Sequence, residues 1–344
     1  MVKEMRNNNF DILRLLCALL VIVSHSYALL GVKESELLLR LTDNIIWSDL
    51  GLCGFFTISG YLIYKSLTTS KNIWSYLGKR ALRIFPGLLV CLILVVFACS
   101  FVYNGDGSYW TQKESYTFLL NNILLYPVQW DISGVFESNP IATVNGSLWT
   151  LPYEFTMYII LILLLLLRND FTKKVLAVLG ICTLLIKNTI FANNFNNTDL
   201  FYLNIGSFSR FAQYFAIGVF LQMISISNWS KKIKNIVLIV SLLLCVGFIV
   251  LHITPLAMFC LSILFILFGE MCCEKITNFV HKIGDLSYGT YIYAFPISQI
   301  LIVYFNSNIS PTMLTILTIL LVLPIAYLSW RFIEKPALSL KKYL

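Results

Sequence analysis

Charged residues are scarce in this 344-residue chain. Only 12% of its residues are Asp, Glu, Lys or Arg, whereas a soluble domain carries about 25%. The shortage, with 58% hydrophobic residues and a mean hydropathy of +0.80, excludes an ordinary soluble enzyme and predicts an all-α polytopic membrane protein. The net charge of +8 does not indicate nucleic acid as a partner, because the basic residues are scattered at helix ends.

Metal-binding and disulfide patterns are also missing. The nine cysteines include no CxxC pair and no His/Cys cluster at metal-ligand spacing, so we expect no bound metal. Most lie in apolar runs, where a thiol acts as a small hydrophobic group, and Cys272 and Cys273 are adjacent in a predicted cytoplasmic segment. No cleavable signal peptide and no internal repeat are visible. We therefore predict one membrane domain over 1–344, without an appended soluble domain.

Long apolar runs are abundant instead. A helix needs roughly 20 apolar residues to cross the hydrocarbon of a bilayer, and about ten segments of this chain approach that length. The predicted spans are 10–30, 48–66, 85–103, 146–167, 174–192, 207–226, 235–252, 255–271, 286–305 and 311–333.

The distribution of basic residues predicts the topology. With both termini in the cytoplasm, 19 of the 25 Lys and Arg residues fall in cytoplasmic segments and 3 in outer ones, as the excess of positive charge on the cytoplasmic side requires. The cytoplasmic set includes Lys3, Arg6, Lys275 and Lys282. The longest segment between spans, about 104–145, lies outside in this scheme and is expected to form a lid or ledge over a cavity.

The first predicted span carries an acid, a guanidinium and an imidazole. At about 100° per residue, Arg14 and His25 differ by about 20° around the helix, and Asp11 and His25 by about 40°. The three side chains therefore share one stripe. Because an ionisable group costs roughly 2.5–3.5 kcal/mol at the centre of a membrane helix, we expect this stripe to face the interior of the protein.

The fourth predicted span places Glu154 about two turns below the outer surface. His25 lies at a similar depth in its own span, so the two could form an acid–base pair in which the carboxylate orients the imidazole. The alternative is a hydrogen bond between helices with a structural role only. Because Asp11 and Arg14 share the stripe of His25, we favour the functional interpretation.

Two further segments allow both interpretations. In "GLCGFFTISGYLIY" (51–64), small residues permit close helix packing, and the same segment could line a substrate path. In "LGKRALRIFP" (77–86), Arg80 and Arg83 are three residues apart on one face. They either anchor the topology or bind a phosphorylated cytoplasmic molecule, because guanidinium groups bind phosphate through two hydrogen bonds.

Taken together, these motifs resemble the acyltransferase type 3 family, integral-membrane enzymes that O-acylate bacterial surface glycans. The resemblance rests on Arg14 and His25 separated by ten residues, "FFTISGYLI", "KRALRIFP" and "SLWTLPYEFTMY". The segments "SYGTYIYAFPI" and "RFIEKP" are similar to family features as well, so the resemblance covers essentially the whole chain. One departure is Ala294, at a position where the family often has His.

The resemblance implies an O-acyltransferase of the bacterial inner membrane that moves an acetyl or other acyl group from cytoplasmic acyl-CoA to a saccharide hydroxyl. Acetyl-CoA would be a co-substrate rather than a bound cofactor, and Arg80 and Arg83 would hold its phosphates. His25 would act as general base or carry the acyl group, and Glu154 would orient it. Asp11 would pair with Arg14, while Ser59, Gly60 and Tyr61 would line the glycan path.

Several alternatives stay open at this point. A proton-coupled transporter or flippase of a glycan precursor would also suit buried Arg, His and Glu residues, although no duplicated halves are visible. A non-catalytic partner in polysaccharide assembly is a third hypothesis. Capsule, O-antigen and lipid-linked oligosaccharide remain candidate acceptors, a homo-oligomer is not excluded, and the sequence assigns no role to Lys187 and Arg210.

Overall fold

The computed structural model describes residues 8–191, 198–271 and 283–344. Lys3, Arg6, Cys272, Cys273, Lys275 and Lys282, used above, lie outside these ranges. The described chain is almost entirely helical. Its helices are α1 (Phe10–Leu29), α2 (Leu37–Thr42), α3 (Trp47–Thr69), α4 (Ile73–Cys99), α5 (Lys113–Leu124), α6 (Leu151–Ile162), α7 (Asp170–Ile190), α8 (Ile205–Met223), α9 (Lys231–Val250), α10 (Thr254–Glu270), α11 (Ser287–Tyr304), α12 (Pro311–Ser329) and α13 (Lys335–Ser339).

A helix lies at each of the ten predicted spans, which confirms the helical character of the chain. In the described residues, six stretches are long and apolar enough to cross a membrane. These are Phe10–Leu29, Trp47–Thr69, Ile73–Cys99, Gly146–Leu166, Lys231–Val250 and Pro311–Tyr343. The full count of ten spans and the cytoplasmic termini remain predictions.

Helix α3 forms the centre of the bundle. In the most apolar 18-residue stretch of α3, 67% of the residues are buried inside the protein. The corresponding share for α9 is 11%, so α9 leaves most of its surface for lipid. Small residues allow α3 to approach its neighbours closely. A Cβ atom at Gly60 would overlap the carbonyl oxygen of Phe215 on α8, and a Cβ atom at Gly218 would overlap that of Thr57 on α3. These two glycines set the distance between α3 and α8.

The segment 104–145 packs on the bundle rather than forming a separate domain. It contains α5, and its Val135 forms an antiparallel β-bridge with Tyr103, the residue just before the segment. Its end is attached to α11: the Gln299 amide donates to the carbonyl oxygens of Ile141 and Thr143 at 2.7 and 2.6 Å, and Asn145 Nδ2 donates to the Ile292 carbonyl at 2.9 Å. These bonds fix the entry into α6, the helix that carries Glu154.

The chain continues directly from α12 into a short π-helical segment, Trp330–Glu334, and then into α13. Such segments change the direction in which side chains leave a helix and often occur at functional sites. A two-stranded antiparallel ribbon, β1 (Asp199–Leu200) and β2 (Leu203–Asn204), precedes α8.

Candidate active site

A cavity of about 690 Å³, here called the large cavity, extends along α3. The α3 residues that line it run from Leu52 to Thr69, a length of about 25 Å at 1.5 Å per residue. Its size is in the range of small-molecule sites. The other walls come from α1, α4, α6, α11 and the segment that follows α12. The predicted site residues that line it are Asp11, Arg14, Ser59, Arg80, Arg83 and Glu154.

An ion-pair network surrounds Asp285 at one side of this cavity. Arg83 Nη2 lies 2.5 Å from Asp285 Oδ2 and Arg14 Nη1 lies 3.7 Å from the same oxygen, while Arg83 Nη1 lies 3.7 Å from Glu334 Oε2. Glu334 comes from the π-helical segment and is buried. The ion pair of Arg14 is thus made with Asp285, a residue that sequence reasoning did not select; Asp11 lines the same cavity nearby.

Asp285 is held in place from both sides. Ser287 donates to its second oxygen through the hydroxyl at 2.5 Å and the backbone N–H at 3.2 Å, at the start of α11. Burial raises the pKa of this carboxyl, but the guanidinium groups of Arg83 and Arg14 outweigh burial and hold the pKa below its ordinary value. Asp285 therefore remains a carboxylate that fixes α1 and α4 to the start of α11.

Arg80 differs from Arg83 although the two share a face of α4. In the described ranges its only hydrogen bond runs from Nη2 to Ser66 Oγ, at 3.2 Å, and no carboxylate lies within ion-pair distance. Its Nε is buried without a hydrogen-bond partner. A buried donor left unpaired is costly, and because this guanidinium lines the cavity, it is available to an anionic ligand.

Glu154 receives two hydroxyl groups on one carboxylate oxygen. Ser59 Oγ donates to Oε1 at 2.9 Å, and the Tyr158 hydroxyl donates to the same atom. Tyr158 lies four residues after Glu154, on the same face of α6, and it also lines the cavity. Within the described part of the chain, no hydrogen bond is made to Oε2, so that oxygen can accept a proton or a hydrogen bond from a substrate.

The expected direct pair between His25 and Glu154 is not formed: no hydrogen bond or ion pair joins them among the described residues. The predicted match in depth is wrong as well: Glu154 bonds Ser59 on α3, whereas Val21 packs at Gly51, eight residues or about 12 Å earlier on that helix, and His25 lies beyond Val21. The His25 ring meets the edge of Phe295 on α11, with ring centroids 5.1 Å apart. Val21 packs against Gly51, the residue before Leu52, and Leu52 is the first α3 residue that lines the large cavity. His25 lies one helical turn beyond Val21 on α1, past this end of the cavity.

The lining proposed for the second span is corrected at two residues. Ser59 lines the large cavity, but Gly60 packs on α8 and the Tyr61 hydroxyl donates to Glu270 Oε1 at 2.8 Å. Each residue rotates about 100° around the helix relative to the one before it, so three consecutive residues cannot share one cavity. Small-residue packing therefore accounts for Gly60.

Sequence reasoning missed Asp285, Glu334 and Tyr158. The spacing of Tyr158 from Glu154 was a usable signal, because residues four apart share a helix face. Asp285 and Glu334 contact Arg83 across about 200 positions or more of sequence, so no local pattern indicated them. Further cations line the large cavity, and these are Lys65, Lys79, Arg331, Lys335 and Lys341.

A basic cavity that extends along a central membrane helix suits a long anionic molecule, and the comparison with known families identifies the chemistry. The acyltransferase-domain family matches residues 7–331. The chain belongs to this acyltransferase family. It is thus an O-acyltransferase and a membrane protein.

Similar proteins extend this assignment. Over 337 residues the acyltransferase is 30% identical to the O-acetyl transferase of Shigella phage Sf6, a match that covers 97% of each chain. It is also 30% identical over 199 residues to nodulation protein 10 of Rhizobium leguminosarum bv. viciae, covering 56% of this chain and 53% of that protein. No solved structure matches.

Proposed function

We propose that this enzyme transfers an acetyl or other acyl group from cytoplasmic acyl-CoA to a hydroxyl of a cell-surface or lipid-linked saccharide. It would lie in the bacterial inner membrane with ten spans and both termini inside. The observation that carries the proposal is Arg80: a buried guanidinium without a carboxylate partner among the described residues, lining a cavity rich in cations. The Sf6 relative, described as an O-acetyl transferase, supports the reaction type.

The donor would enter from the end of the large cavity where α4 and α13 begin. Lysine and arginine side chains from α3, α4 and α13 line this end, and the phosphates of a nucleotide are the polyanion they suit. Arg80 would bind one phosphate directly. Arg83, already engaged with Asp285 and Glu334, would set the position of α4 and add positive potential rather than lose its carboxylate partners.

The thioester would then extend along α3 towards Leu52. Glu154 lies on this path, with Oε1 occupied by two hydroxyl groups and Oε2 open. His25 lies one turn further along α1 than Val21, a rise of about 6 Å. It would remove the proton from the acceptor hydroxyl or carry the acyl group, while Glu154, further inward along α3, would contribute through charge balance and not through contact with His25. An imidazole is suited to such proton transfer near neutral pH.

The balance of the transfer is simple in both variants. In the first variant the acceptor oxygen attacks the thioester carbonyl, a C–O bond forms and the C–S bond breaks. In the second a His25 nitrogen attacks first, a C–N bond forms and the C–S bond breaks; the acceptor oxygen then attacks the acyl group on His25, a C–O bond forms and the C–N bond breaks. The CoA thiolate leaves and receives the proton that the acceptor hydroxyl loses. Ala294, at the family's additional His position, is buried, so His25 would be the sole imidazole of the described residues near this region.

The test compares surface polysaccharide from cells that carry the wild-type enzyme, the deletion or His25→Ala. Proton NMR before and after mild base measures the O-acetyl methyl signal. We expect the signal to be lost in both mutants at equal protein levels, with Lys174→Ala, at an exposed position of α7 that lines neither cavity, as a control that retains it. A signal that persists in His25→Ala contradicts the catalytic assignment, and one that persists in the deletion contradicts this acceptor.

A further inference from the structure

A second cavity, of about 680 Å³, lies at the other end of α3. It lies near the beginning of α3, whereas the large cavity extends to the last turn of α3. The end of α7, the beginning of α8 and the turn between α9 and α10 form its walls. The charged and amide-bearing residues that line it are Asn44, Lys187, Asn188, Asn204, Arg210, Gln213 and His252.

A layer of aromatic rings separates the two cavities. Phe211 stacks on Phe56 with ring centroids 4.4 Å apart, and it contacts Trp149 and Tyr153 at 5.4 Å each. Phe56 lines the large cavity, while Arg210, next to Phe211 and 5.2 Å from its ring centroid, lines the second one. The second cavity is therefore a separate compartment and not an extension of the site already described.

The charges of the second cavity are not balanced. Arg210 Nη1 forms an ion pair with Asp49 at 3.3 Å. Lys187 Nζ donates to the Ser209 hydroxyl at 2.8 Å, and in the described ranges no carboxylate lies within ion-pair distance of it. An ammonium group held on a partly buried helix face without a counter-ion is favourable only if it reaches water or an anion.

The N-terminal turns of two helices, α8 and α10, add to the positive potential of the second cavity. The cavity is lined by Gly206 and Ser207 in the first turn of α8 and by Thr254 and Pro255 in the first turn of α10. Both helices present their N-terminal ends, which carry partial positive charge. His252 Nδ1 donates to the Thr42 carbonyl at 3.2 Å, because a carbonyl oxygen only accepts, and this bond fixes the ring beside the cavity.

The amide side chains indicate what accompanies the anion. Asn188 Nδ2 donates to Gln213 Oε1 at 2.8 Å, and Gln213 Nε2 donates to the Pro255 carbonyl at 3.0 Å. Asn188 also donates to the Ser209 carbonyl and accepts from the Ser209 hydroxyl, so both amides are fixed in orientation, and Gln213 keeps a second Nε2 hydrogen for a ligand oxygen. A cavity of this size, fixed amides and an uncompensated cation suit a sugar residue that bears an acidic group.

We infer that the second cavity binds an oxyanion, a carboxylate or phosphate carried by the saccharide acceptor, with Lys187 as the charge partner. That the molecule bearing this oxyanion is the saccharide acceptor rests on the proposed function. The site would hold an acidic residue of the glycan on the outer side of the membrane, away from the reacting hydroxyl. The enzyme would therefore favour acidic over neutral glycans.

The test measures binding to purified full-length enzyme in phosphatidylcholine nanodiscs, without acyl-CoA, through the unfolding temperature at constant ionic strength. A ligand that binds the folded state raises this temperature as its concentration passes Kd. We expect glucuronate to stabilise the wild-type enzyme at lower concentration than glucose does. Lys187→Gln should raise the apparent Kd for glucuronate by about tenfold, equivalent to roughly 1.4 kcal/mol.

Lys174→Gln, on the exposed opposite end of the same helix, is the matched control and should bind glucuronate as the wild type does. Lys187→Arg keeps the charge and should bind too, which covers the case in which Lys187→Gln fails to fold. Equal stabilisation by glucuronate and glucose, or an unchanged Kd in Lys187→Gln, overturns the inference.

A second arm identifies the source of the oxyanion. If adding phosphatidylglycerol to the nanodiscs abolishes glucuronate binding, the cavity holds a lipid phosphate and the saccharide assignment is wrong. If glucuronate binding persists, the assignment stands. Because no acyl transfer is measured, a negative result here leaves the proposed function intact, and a failure of the His25→Ala test leaves this binding result intact.

Discussion

The large cavity and the second cavity lie at opposite ends of α3 and share one pattern in their charges. Each contains a guanidinium that is paired with a carboxylate of the protein, Arg83 with Asp285 and Arg210 with Asp49. Each also contains a cation for which the described residues provide no carboxylate: Arg80 in the large cavity and Lys187 in the second. The comparison teaches that the paired cations hold helices together, whereas the unpaired ones are available to ligands.

The largest expected effect comes from removing a cation that is paired with carboxylates of the protein. Arg83→Met removes the guanidinium paired with buried Glu334 and leaves Asp285 with Arg14, at 3.7 Å, as its one ion-pair partner among the described residues. Removing one partner of a buried ion pair costs about 3–5 kcal/mol. We expect a marked fall in the unfolding temperature of the purified enzyme and loss of acyl transfer. Arg80→Met, on the same face of α4, should unfold near the wild-type temperature. Equal unfolding temperatures for the wild type and Arg83→Met would contradict the division into two classes.

The next effect concerns the contact that connects the two cavities. Gly218→Ala would place a methyl group against the Thr57 carbonyl and separate α8, which lines the second cavity, from α3, which lines the large one. Overpacking of this kind costs about 1–3 kcal/mol, measured as a lower unfolding temperature.

Gly180→Ala and Gly247→Ala are matched controls, because a Cβ atom at either position meets nothing within 4 Å. Alanine also favours a helix over glycine, so these variants should be neutral or slightly stabilised. A Gly218→Ala enzyme as stable as the controls would show that α3 and α8 are not in close contact.

A more local effect, on the rate and not on the fold, is expected within the large cavity. Tyr158→Phe removes one of the two hydroxyl groups that donate to Glu154 Oε1. A hydrogen bond to a charged group contributes about 1.5–3 kcal/mol, so acyl transfer should fall by roughly tenfold or more if Glu154 acts in the reaction. The rate of acyl transfer by the purified enzyme measures this. Tyr116→Phe, in the exposed part of α5, should keep the wild-type rate, and an unchanged rate in Tyr158→Phe would remove Glu154 from the reaction.

The sequence predicted the helical architecture well, because membrane helices must be long, apolar and internally hydrogen-bonded. Six of the nine site residues that it selected line the large cavity, mainly because a charge in an apolar run faces the interior. Helical rotation alone explains why Gly60 and Tyr61 leave the cavity that Ser59 lines.

Which side chains contact each other across helices could not be predicted in the same way. Depth counted from the predicted span ends put His25 and Glu154 at the same height, but Glu154 lies level with Ser59 on α3 and His25 lies beyond the level of Gly51. The tilt and offset of each helix, and the direction each side chain faces, depend on which helices stand opposite. His25 meets Phe295 and Glu154 meets Ser59 and Tyr158. Likewise, the spacing of Arg80 and Arg83 made them look equivalent, and only Asp285, about 200 residues later, distinguishes them.

The most direct test of the account is a titration of the purified full-length enzyme with acetyl-CoA, comparing wild type, Arg80→Gln and the exposed control Lys71→Gln. Isothermal calorimetry measures Kd. The account predicts saturable binding that is weakened about tenfold by Arg80→Gln, equivalent to roughly 1.4 kcal/mol, and unchanged by Lys71→Gln. The same Kd for wild type and Arg80→Gln would contradict the assignment of the large cavity to the acyl donor.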